Sequence, residues 1–321
     1  MDKPFKTIDE QYELLVERGL TFNNEQKAKD YLLAYNYYNV VNCYGHFLID
    51  HDNQYIAGSD FMEIIAIHQF DSQFKNTMFK SILDVENMFK SIVSYEFSKA
   101  YQSEQPYMNQ SNFNTAYSIK IVAFQADIAK ILSKYSDLKS DNSIKHYLNK
   151  HHHVPMWVLC NYMTFGQMLT MYGLLTDTLR NQISKDINKI VNQNIQSTLE
   201  DIRLSPKNID QILGNLKDIR NLLAHDNMLF GYTCKTSFPY ISSIFSSQNI
   251  VKEAQRQNVY DVFLMLRLFM PESKYAILFN SIRRASIKLH SKLSTIDSSD
   301  VMKSLGFPSD FYKVKKMDQP E

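Results

Sequence analysis

Residues 208–225 read NIDQILGNLKDIRNLLAH, and this stretch decides the class of fold. Its apolar residues recur at intervals of three and four, so they lie along one side of an α-helix. They are Ile209, Ile212, Leu213, Leu216, Ile219 and Leu223. Pro206 precedes the stripe at a position that suits a helix start, whereas Asp226 and Asn227 favour a helix end. The sequence therefore predicts an amphipathic helix that packs its apolar side against other elements.

The end of this helix carries three polar residues among the leucines, namely Arg220, Asn221 and His225. Asn221 and His225 are four residues apart and share a helix face. Arg220 lies about 140° from His225 around a regular helix. Both side chains therefore reach one cleft only if the helix ends or distorts near His225, or if a second subunit shares the cleft.

Histidine and arginine together suit the cleavage of a phosphodiester. An imidazole ordinarily titrates near neutrality, so His225 is able to take a proton from a ribose 2′-hydroxyl or to give one to the leaving 5′-oxygen. The guanidinium of Arg220 is able to bind phosphate oxygens in pairs and to stabilise their charge. An attacking 2′-hydroxyl needs no metal and excludes DNA as a substrate. In the alternative interpretation, Arg220 is a surface residue and His225 is favoured by the helix dipole.

The composition of the chain favours long helices. The 321 residues include only 8 glycines and 8 prolines, which sheet-rich folds need in their many tight turns. Apolar residues make up 44% of the chain, as in ordinary folded proteins. The formal net charge is +1, so any binding of nucleic acid must come from a local patch of basic residues.

Several features together predict a cytoplasmic protein. Cys43, Cys160 and Cys234 are odd in number and far apart, so no disulfide framework is expected. The first residues, MDKPFKTIDEQYELL, contain no apolar core of the signal-peptide type. No run of about 18 apolar residues occurs, so no membrane-spanning helix is expected.

The spacing of apolar residues predicts further helices along one domain that covers residues 1–321. They cover about residues 7–19, 72–101, 117–136, 157–175, 258–270 and 274–294, and one more begins at Asn23 or Asn24. The helix at 157–175 is apolar almost all round, so it is expected in the centre of the core. The polar segment 102–116 is expected to be a loop and the most plausible mobile segment. Residues 258–321 are expected to form a C-terminal helical docking segment.

Two charged residues on the predicted helix 72–101 are candidates for a functional site. Glu86 lies in an apolar stripe, where a carboxylate is costly unless it is paired. Lys90 follows four residues later, in the orientation that favours an ion pair. Either the two form a local bridge at the edge of the core, or they reach Arg220 and His225 from a neighbouring helix.

Aromatic and basic clusters allow two interpretations each. Tyr35, Tyr37, Tyr38 and Tyr44 form either an aromatic core or a platform for base stacking. Residues 151–153 are consecutive and cannot all face one ion, and no cysteine or pair of carboxylates stands at ligand spacing beside them or His146. The stretch therefore predicts a solvated basic loop rather than a metal site. The helix at 274–294 also carries basic residues nearly in line, which are either solvated or in contact with RNA. They are Arg283, Arg284, Lys288 and Lys292.

The sequence resembles the abortive-infection proteins of the AbiD/AbiF type, which are placed in the HEPN superfamily of helical ribonucleases. The matching segments occur in the same order over nearly the whole chain. They are KPFKTIDEQYELLVERGL, YLLAYNYYNVVNCYGHF, DVENMFK, VPMWVLCNYMTFGQMLTMYGLL, IRNLLAHDN and LGFPSDF. The resemblance implies an all-α, multi-helix bundle of the HEPN type with helical insertions.

The resemblance also implies an activity. Arg220, Asn221 and His225 match the Arg-x4-His motif of HEPN ribonucleases, and Glu86 and Lys90 match their Glu-x3-Lys pair. Members cleave RNA without a metal or cofactor in bacterial phage defence, as toxins. They generally pair two motifs across a two-fold axis, so a homodimer is implied. Some are associated with a small structured RNA, which would be a regulator.

The sequence departs from the family pattern at two places. Asn227 lies where HEPN toxins paired with nucleotidyltransferases have a tyrosine, and the stretch NYYNVVNCYGHF lacks the arginine and serine of relatives.

Two further hypotheses stand beside that of a ribonuclease. The second hypothesis is a protein that binds a structured RNA without cleaving it. The third is a helical scaffold for protein contacts. A substitution of His225 distinguishes a nuclease from a binder, because only the nuclease loses its function.

Overall fold

The computed structural model describes residues 4–195 and 201–318, and within these ranges it contains helices and turns but no strand. The predicted all-α class is therefore confirmed. The helices are α1 Ile8–Glu17, α2 Glu25–Tyr35, α3 Phe61–Ala100, α4 Ser118–Ser136, α5 Ser143–His151, α6 Met156–Leu159, α7 Phe165–Leu174, α8 Asp177–Asn194, α9 Pro206–Ala224, α10 Ser242–Phe245, α11 Val259–Phe269, α12 Glu272–His290 and α13 Ser298–Ser304.

Helix α3 is the axis of the bundle. Its 40 residues make it about 60 Å long, and α6, α7, α8, α9, α11 and α12 all pack against it. It begins at Phe61, whereas the sequence predicted a start near residue 72. The start is fixed by a capping box, in which the Asp60 carboxylate accepts from the Glu63 backbone amide and the Glu63 carboxylate accepts from the Asp60 amide at 3.4 Å. The Asp60 carboxylate also accepts from the Met62 amide at 2.7 Å. Residues 61–67 are apolar on nearly all sides and gave no periodic signal.

The region from 157 to 175, predicted to be one central helix, is broken into two. Helix α6 passes into a short 3-10 turn at Cys160–Tyr162, and α7 begins anew at Phe165. The side chain of Thr164 accepts from the Gln167 amide at 3.2 Å, so α7 begins anew with its own capping box. Trp157 is exposed, whereas half of the residues of α7 are buried.

The segment 102–116 is a series of short 3-10 turns rather than an extended loop. Tyr107 and Phe113 are buried, and the Tyr107 hydroxyl donates to the Val154 carbonyl at 2.8 Å. The Asn112 amide donates to the Pro106 carbonyl at 2.8 Å. These contacts anchor the segment to the core, and its mobility stays a prediction.

The C-terminal segment packs onto the bundle through α12. The side chain of Asn280 pairs with both backbone groups of Met317, at 2.8 Å to its carbonyl and 3.0 Å from its amide. Helix α12 lies along α3, and α13 contacts α12. Residues 319–321 lie outside the described residues.

Helix α9 has the amphipathic form that its sequence predicts. All six apolar stripe residues from Ile209 to Leu223 are buried. Ser205 and Asn208 form a capping box around Pro206, the first residue of the helix. The buried side of α9 faces α3, α7, α8 and α11. The opposite side of α9 is only partly buried.

Candidate active site

Helix α9 ends immediately after the polar segment. Its last residue is Ala224, His225 is the C-cap, and Asp226 adopts the left-handed conformation with φ of +55°. The Asp226 amide donates to the Leu223 carbonyl at 3.1 Å, and the Asn227 amide donates to the Leu222 carbonyl at 3.0 Å. These two bonds are the pattern of a Schellman turn, in which glycine is the commonest left-handed residue. The predicted helix end near His225 is confirmed.

Arg220 points away from solvent towards α3. Its Nε donates to the Glu86 carboxylate at 3.2 Å, and its Nη1 donates to the Asn221 side-chain oxygen at 3.3 Å. The side chain of Glu86 is 4% exposed and that of Arg220 is 25% exposed. A guanidinium has five N–H donors, so these two contacts leave three for a ligand at the exposed edge.

Glu86 binds a second cation on its own helix. The Nζ of Lys90 lies 2.8 Å from the other carboxylate oxygen of Glu86 and donates to the Met163 carbonyl at 2.6 Å. Glu86 is therefore both the local bridge and the contact to α9 that the sequence left as alternatives. Lys90 does not reach α9. Instead it joins α3 to the turn before α7.

His225 lies at the surface end of α9 and is exposed. Within residues 4–195 and 201–318, no hydrogen bond or ion pair involves its imidazole, and neither Glu86 nor Lys90 contacts it. Its backbone amide donates to the carbonyl of Asn221 at 3.3 Å, which fixes one helical turn between them. Arg220 and His225 therefore diverge within one protomer, as regular helix geometry predicts.

A second charged network, which the sequence pattern did not predict, fixes the residue after His225. The Nζ of Lys75 lies 2.6 Å from the Asp226 carboxylate and 3.1 Å from the Asp226 carbonyl. On its other side it contacts the fully buried Asp71 at 2.9 Å, and the Tyr44 hydroxyl donates to Asp71 at 2.7 Å. Helix α3 thus binds the polar segment of α9 at both ends, through Glu86 and through Lys75.

Burial and charge act in opposite directions on this network. Burial lowers the pKa of Lys75, but its attraction to Asp71 and its hydrogen bond to Asp226 outweigh burial and raise the pKa above its ordinary value. Burial also raises the pKa of the Tyr44 hydroxyl, and the neighbouring Asp71 carboxylate adds to the rise. Lys75 is therefore a charged anchor, and Tyr44 is a neutral donor.

The tyrosines at 35–44 divide between the two interpretations. Tyr44 is buried, whereas Tyr35 and Tyr38 are exposed and Tyr37 is half-buried. The Tyr35 ring contacts His68 edge-on with centroids 5.1 Å apart, and the Tyr31 hydroxyl lies 2.6 Å from the His68 Nδ1. Burial lowers the pKa of His68. An aromatic core describes Tyr44 and in part Tyr37, which packs against the core, whereas the rings of Tyr35 and Tyr38 lie at the surface.

The predicted basic face lies apart from the polar segment of α9. Arg283 donates to the Val314 carbonyl of the C-terminal segment, and Arg284 and Lys288 are exposed. Lys288 flanks a shallow groove beside Gln69 of α3, about 200° around that helix from Asp71. The role of Arg283, Arg284 and Lys288 in RNA binding stays a prediction.

The histidine-rich stretch forms the end of α5 and the turn after it. His151 and His152 are exposed, and His152 adopts the left-handed conformation. Among the residues that the structure describes, no group of three or more His, Cys, Asp or Glu side chains could bind a metal ion. No helix in the same ranges is long and apolar enough to cross a membrane.

Comparison with known families gives one match. A family model described as Abi-like protein matches residues 30–231, which is more than half of the chain. The matched range includes α3 and α9, and with them both charged networks. No curated protein and no solved structure matches the chain.

Proposed function

This chain belongs to the Abi-like protein family, and we propose that it is a metal-independent endoribonuclease of the HEPN superfamily, of the AbiD/AbiF type, that acts as a toxin in abortive infection. The membership suggests a role in defence against phage. The proposal of RNA as the substrate is supported by the residues at the end of α9. The proposed cleavage of RNA uses no cofactor.

The observation that carries the proposal is the orientation of Arg220. An arginine with no role beyond solvation would extend from the exposed side of α9. The side chain of Arg220 instead contacts the nearly buried carboxylate of Glu86. That carboxylate is itself bound by Lys90, so the guanidinium is fixed before any ligand arrives. Three unused donors on a fixed guanidinium suit the oxygens of a phosphate in a transition state.

His225 supplies the proton transfer in this proposal. One imidazole takes the proton of the 2′-hydroxyl, the 2′-oxygen forms a bond to phosphorus, and the bond from phosphorus to the 5′-oxygen breaks. A second imidazole, in its protonated form, gives its proton to the leaving 5′-oxygen. The products are a 2′,3′-cyclic phosphate and a 5′-hydroxyl, and no oxidant, metal or water is consumed.

A second copy of the chain completes the site. Arg220 and His225 diverge within one protomer, and the imidazole is exposed. Two copies that meet at the exposed ends of α9 would bring two imidazoles to one phosphate, which acid–base catalysis requires. A small structured RNA is proposed as a regulator on the resemblance alone.

The proposal is tested by separating RNA affinity from RNA cleavage. Purified wild-type protein and the His225→Ala variant are compared on the same labelled RNA with a chelator present. We expect the variant to lose cleavage by at least about a hundredfold while its affinity changes less than about threefold. Wild-type protein that binds RNA tightly but never cleaves it would favour the non-cleaving binder.

A further inference from the structure

A second surface feature lies along α9, away from its C-terminal end. A cleft of about 600 Å³ opens between α4, α7, α8 and the first turns of α9. Its lining includes Tyr117, Lys120, Gly173, Arg180 and Asp210. We call it the α4–α7–α9 cleft. No part of the proposed function uses it.

Helices α7 and α9 pack side by side from this cleft towards the end of α9, and we call the line along which they meet the α7–α9 seam. At one end, a Cβ added to Gly166 would lie 3.7 Å from the Lys217 side chain, and at the other end Gly173 and Asp210 line the cleft. The two helices therefore run antiparallel over seven residues. On α9, Asp210 and Lys217 share their face with Asn221, which lies one turn before His225.

The glycines of this seam are not explained by the fold itself. Gly173 and Gly214 lie in helices α7 and α9, and neither has a positive φ. A Cβ added at either position would meet nothing within 4 Å, so close packing does not exclude a side chain. Glycine is also the least favourable helix residue after proline. What the two glycines provide is open access to the helix surface.

The cleft offers groups for each part of a nucleotide. The ring of Tyr117 is 41% exposed, and the Lys120 Nζ lies 5.5 Å from its centroid. An exposed ring is able to stack a base, and the ammonium is able to bind a phosphate. Arg180 forms an ion pair with Asp210, and Asp127 pairs with Lys130 at 2.9 Å. The carboxylates Asp127 and Asp210 repel phosphates but are able to accept hydrogen bonds from ribose hydroxyls.

We propose that the α7–α9 seam and the α4–α7–α9 cleft bind the single-stranded RNA that flanks the phosphate to be cleaved. This inference rests on the proposed function, because the strand is continuous with the site at His225. The eleven helical steps from Asp210 to Asn221 span about 16 Å. At about 3.4 Å per stacked nucleotide, the seam accommodates about five nucleotides on one side of the cleavage site.

The test measures affinity as a function of RNA length in the full chain that carries His225→Ala. We expect affinity to rise about tenfold as the flank grows to about five nucleotides and then to level off. Gly214→Leu and Gly173→Leu place a side chain over the seam, and they should remove this rise while the shortest RNA binds as before. A DNA flank should give a smaller rise than an RNA flank.

The melting temperature of each variant shows whether it loses affinity because it loses its fold. Gly214→Ala should leave the melting temperature unchanged or raise it, and Gly214→Leu should behave likewise. A loss of affinity in Gly214→Leu would then not come from a loss of the fold.

A pair of charge reversals provides a second control. Lys120→Glu should weaken the binding of the long RNA. Lys189→Glu, on an exposed turn of α8 on the side opposite Arg180, should not weaken it. Affinity that does not depend on flank length, or equal effects of Lys120→Glu and Lys189→Glu, would overturn the inference.

The two proposals fail in different ways. If the seam binds RNA but the protein does not cleave it, Gly214→Leu weakens binding while wild-type protein shows no cleavage. The proposed function then fails and the seam remains as an RNA-binding surface. If cleavage depends on His225 but every flank length binds equally, the inference about the seam fails and the proposed function remains.

Discussion

At the scale of single residues, Glu86 is the group on which the candidate site depends. A carboxylate that is almost fully buried would be strongly disfavoured without partners. Here one of its oxygens contacts Lys90 and the other contacts Arg220. The stability of the core and the orientation of the proposed phosphate ligand therefore depend on the same side chain.

Removal of Glu86 should damage stability and function together. Glu86→Ala leaves two partly buried cations without their common partner, so we expect a loss of about 3 kcal/mol in the free energy of unfolding. Chemical denaturation measures it. Glu86→Gln retains the shape and one acceptor and should lose less. A Glu86→Ala protein as stable as wild type would show that the ion pairs contribute nothing.

The sequence predicted Glu86 but not Lys75, and the difference has a physical cause. Glu86 stands out because it interrupts an apolar stripe, which is a local signal. The contact of Lys75 with Asp226 joins residues 151 positions apart, and it depends on a left-handed turn that no local pattern required. Asp71 with Lys75 repeats the spacing of Glu86 with Lys90, and that repetition was the available signal.

At the scale of elements, the end of α9 combines a helix stop with a tertiary contact. Asp226 adopts a conformation that costs a non-glycine residue about 1 kcal/mol. Its carboxylate and carbonyl both contact Lys75, whose side chain is only 6% exposed. The contact offsets the strain and fixes the backbone that carries His225.

Two substitutions at Asp226 separate the turn from the contact. Asp226→Gly removes the carboxylate but suits the left-handed conformation, whereas Asp226→Ala loses both. We expect the alanine variant to be about 1 kcal/mol less stable than the glycine variant. Thermal unfolding gives the difference, and hydrogen exchange at the amides of residues 225–227 shows whether the turn loosens. Equal stability of the two variants would contradict the assigned strain.

The elements that the sequence placed wrongly share one property. Residues 61–67 and 157–175 are apolar on nearly all sides. Their sequence therefore shows no alternation of apolar and polar residues from which the start or the interruption of a helix could be predicted. The boundaries are set by polar caps at Asp60 and Thr164. In contrast, α9 has one apolar and one polar side, and its end was predicted correctly.

At the scale of the whole molecule, the all-α class followed from few glycines and prolines and from helical spacing. The arrangement around α3 did not, because a hydrophobic stripe shows which side is buried but not which helix covers it. The basic residues Arg283, Arg284 and Lys288 illustrate this. The sequence left them either solvated or in contact with RNA, and whether they act with a site on α9 depends on packing that their own helix does not encode.

The proposed dimer gives a prediction at the same scale. Ala224 is exposed beside His225, at the surface where two copies would meet. Ala224→Glu places like charges across a two-fold axis, so we expect it to weaken the dimer by at least about tenfold, or about 1.4 kcal/mol, and to reduce cleavage accordingly. Sedimentation analysis measures the dimer, with Lys189→Glu as the control. A wild-type protein that is monomeric yet active would contradict the shared site.

The chemistry of the cut ends tests the central claim most directly. RNA is incubated with wild-type protein and a chelator, and the new ends are identified by mass spectrometry, with a matched RNA that lacks the 2′-hydroxyl at the cut position. Attack by the ribose under the control of Arg220 and His225 predicts 2′,3′-cyclic phosphate and 5′-hydroxyl ends, and no cut in the matched RNA. Fragments with 3′-hydroxyl and 5′-phosphate ends, or cutting of the deoxy substrate, would contradict it.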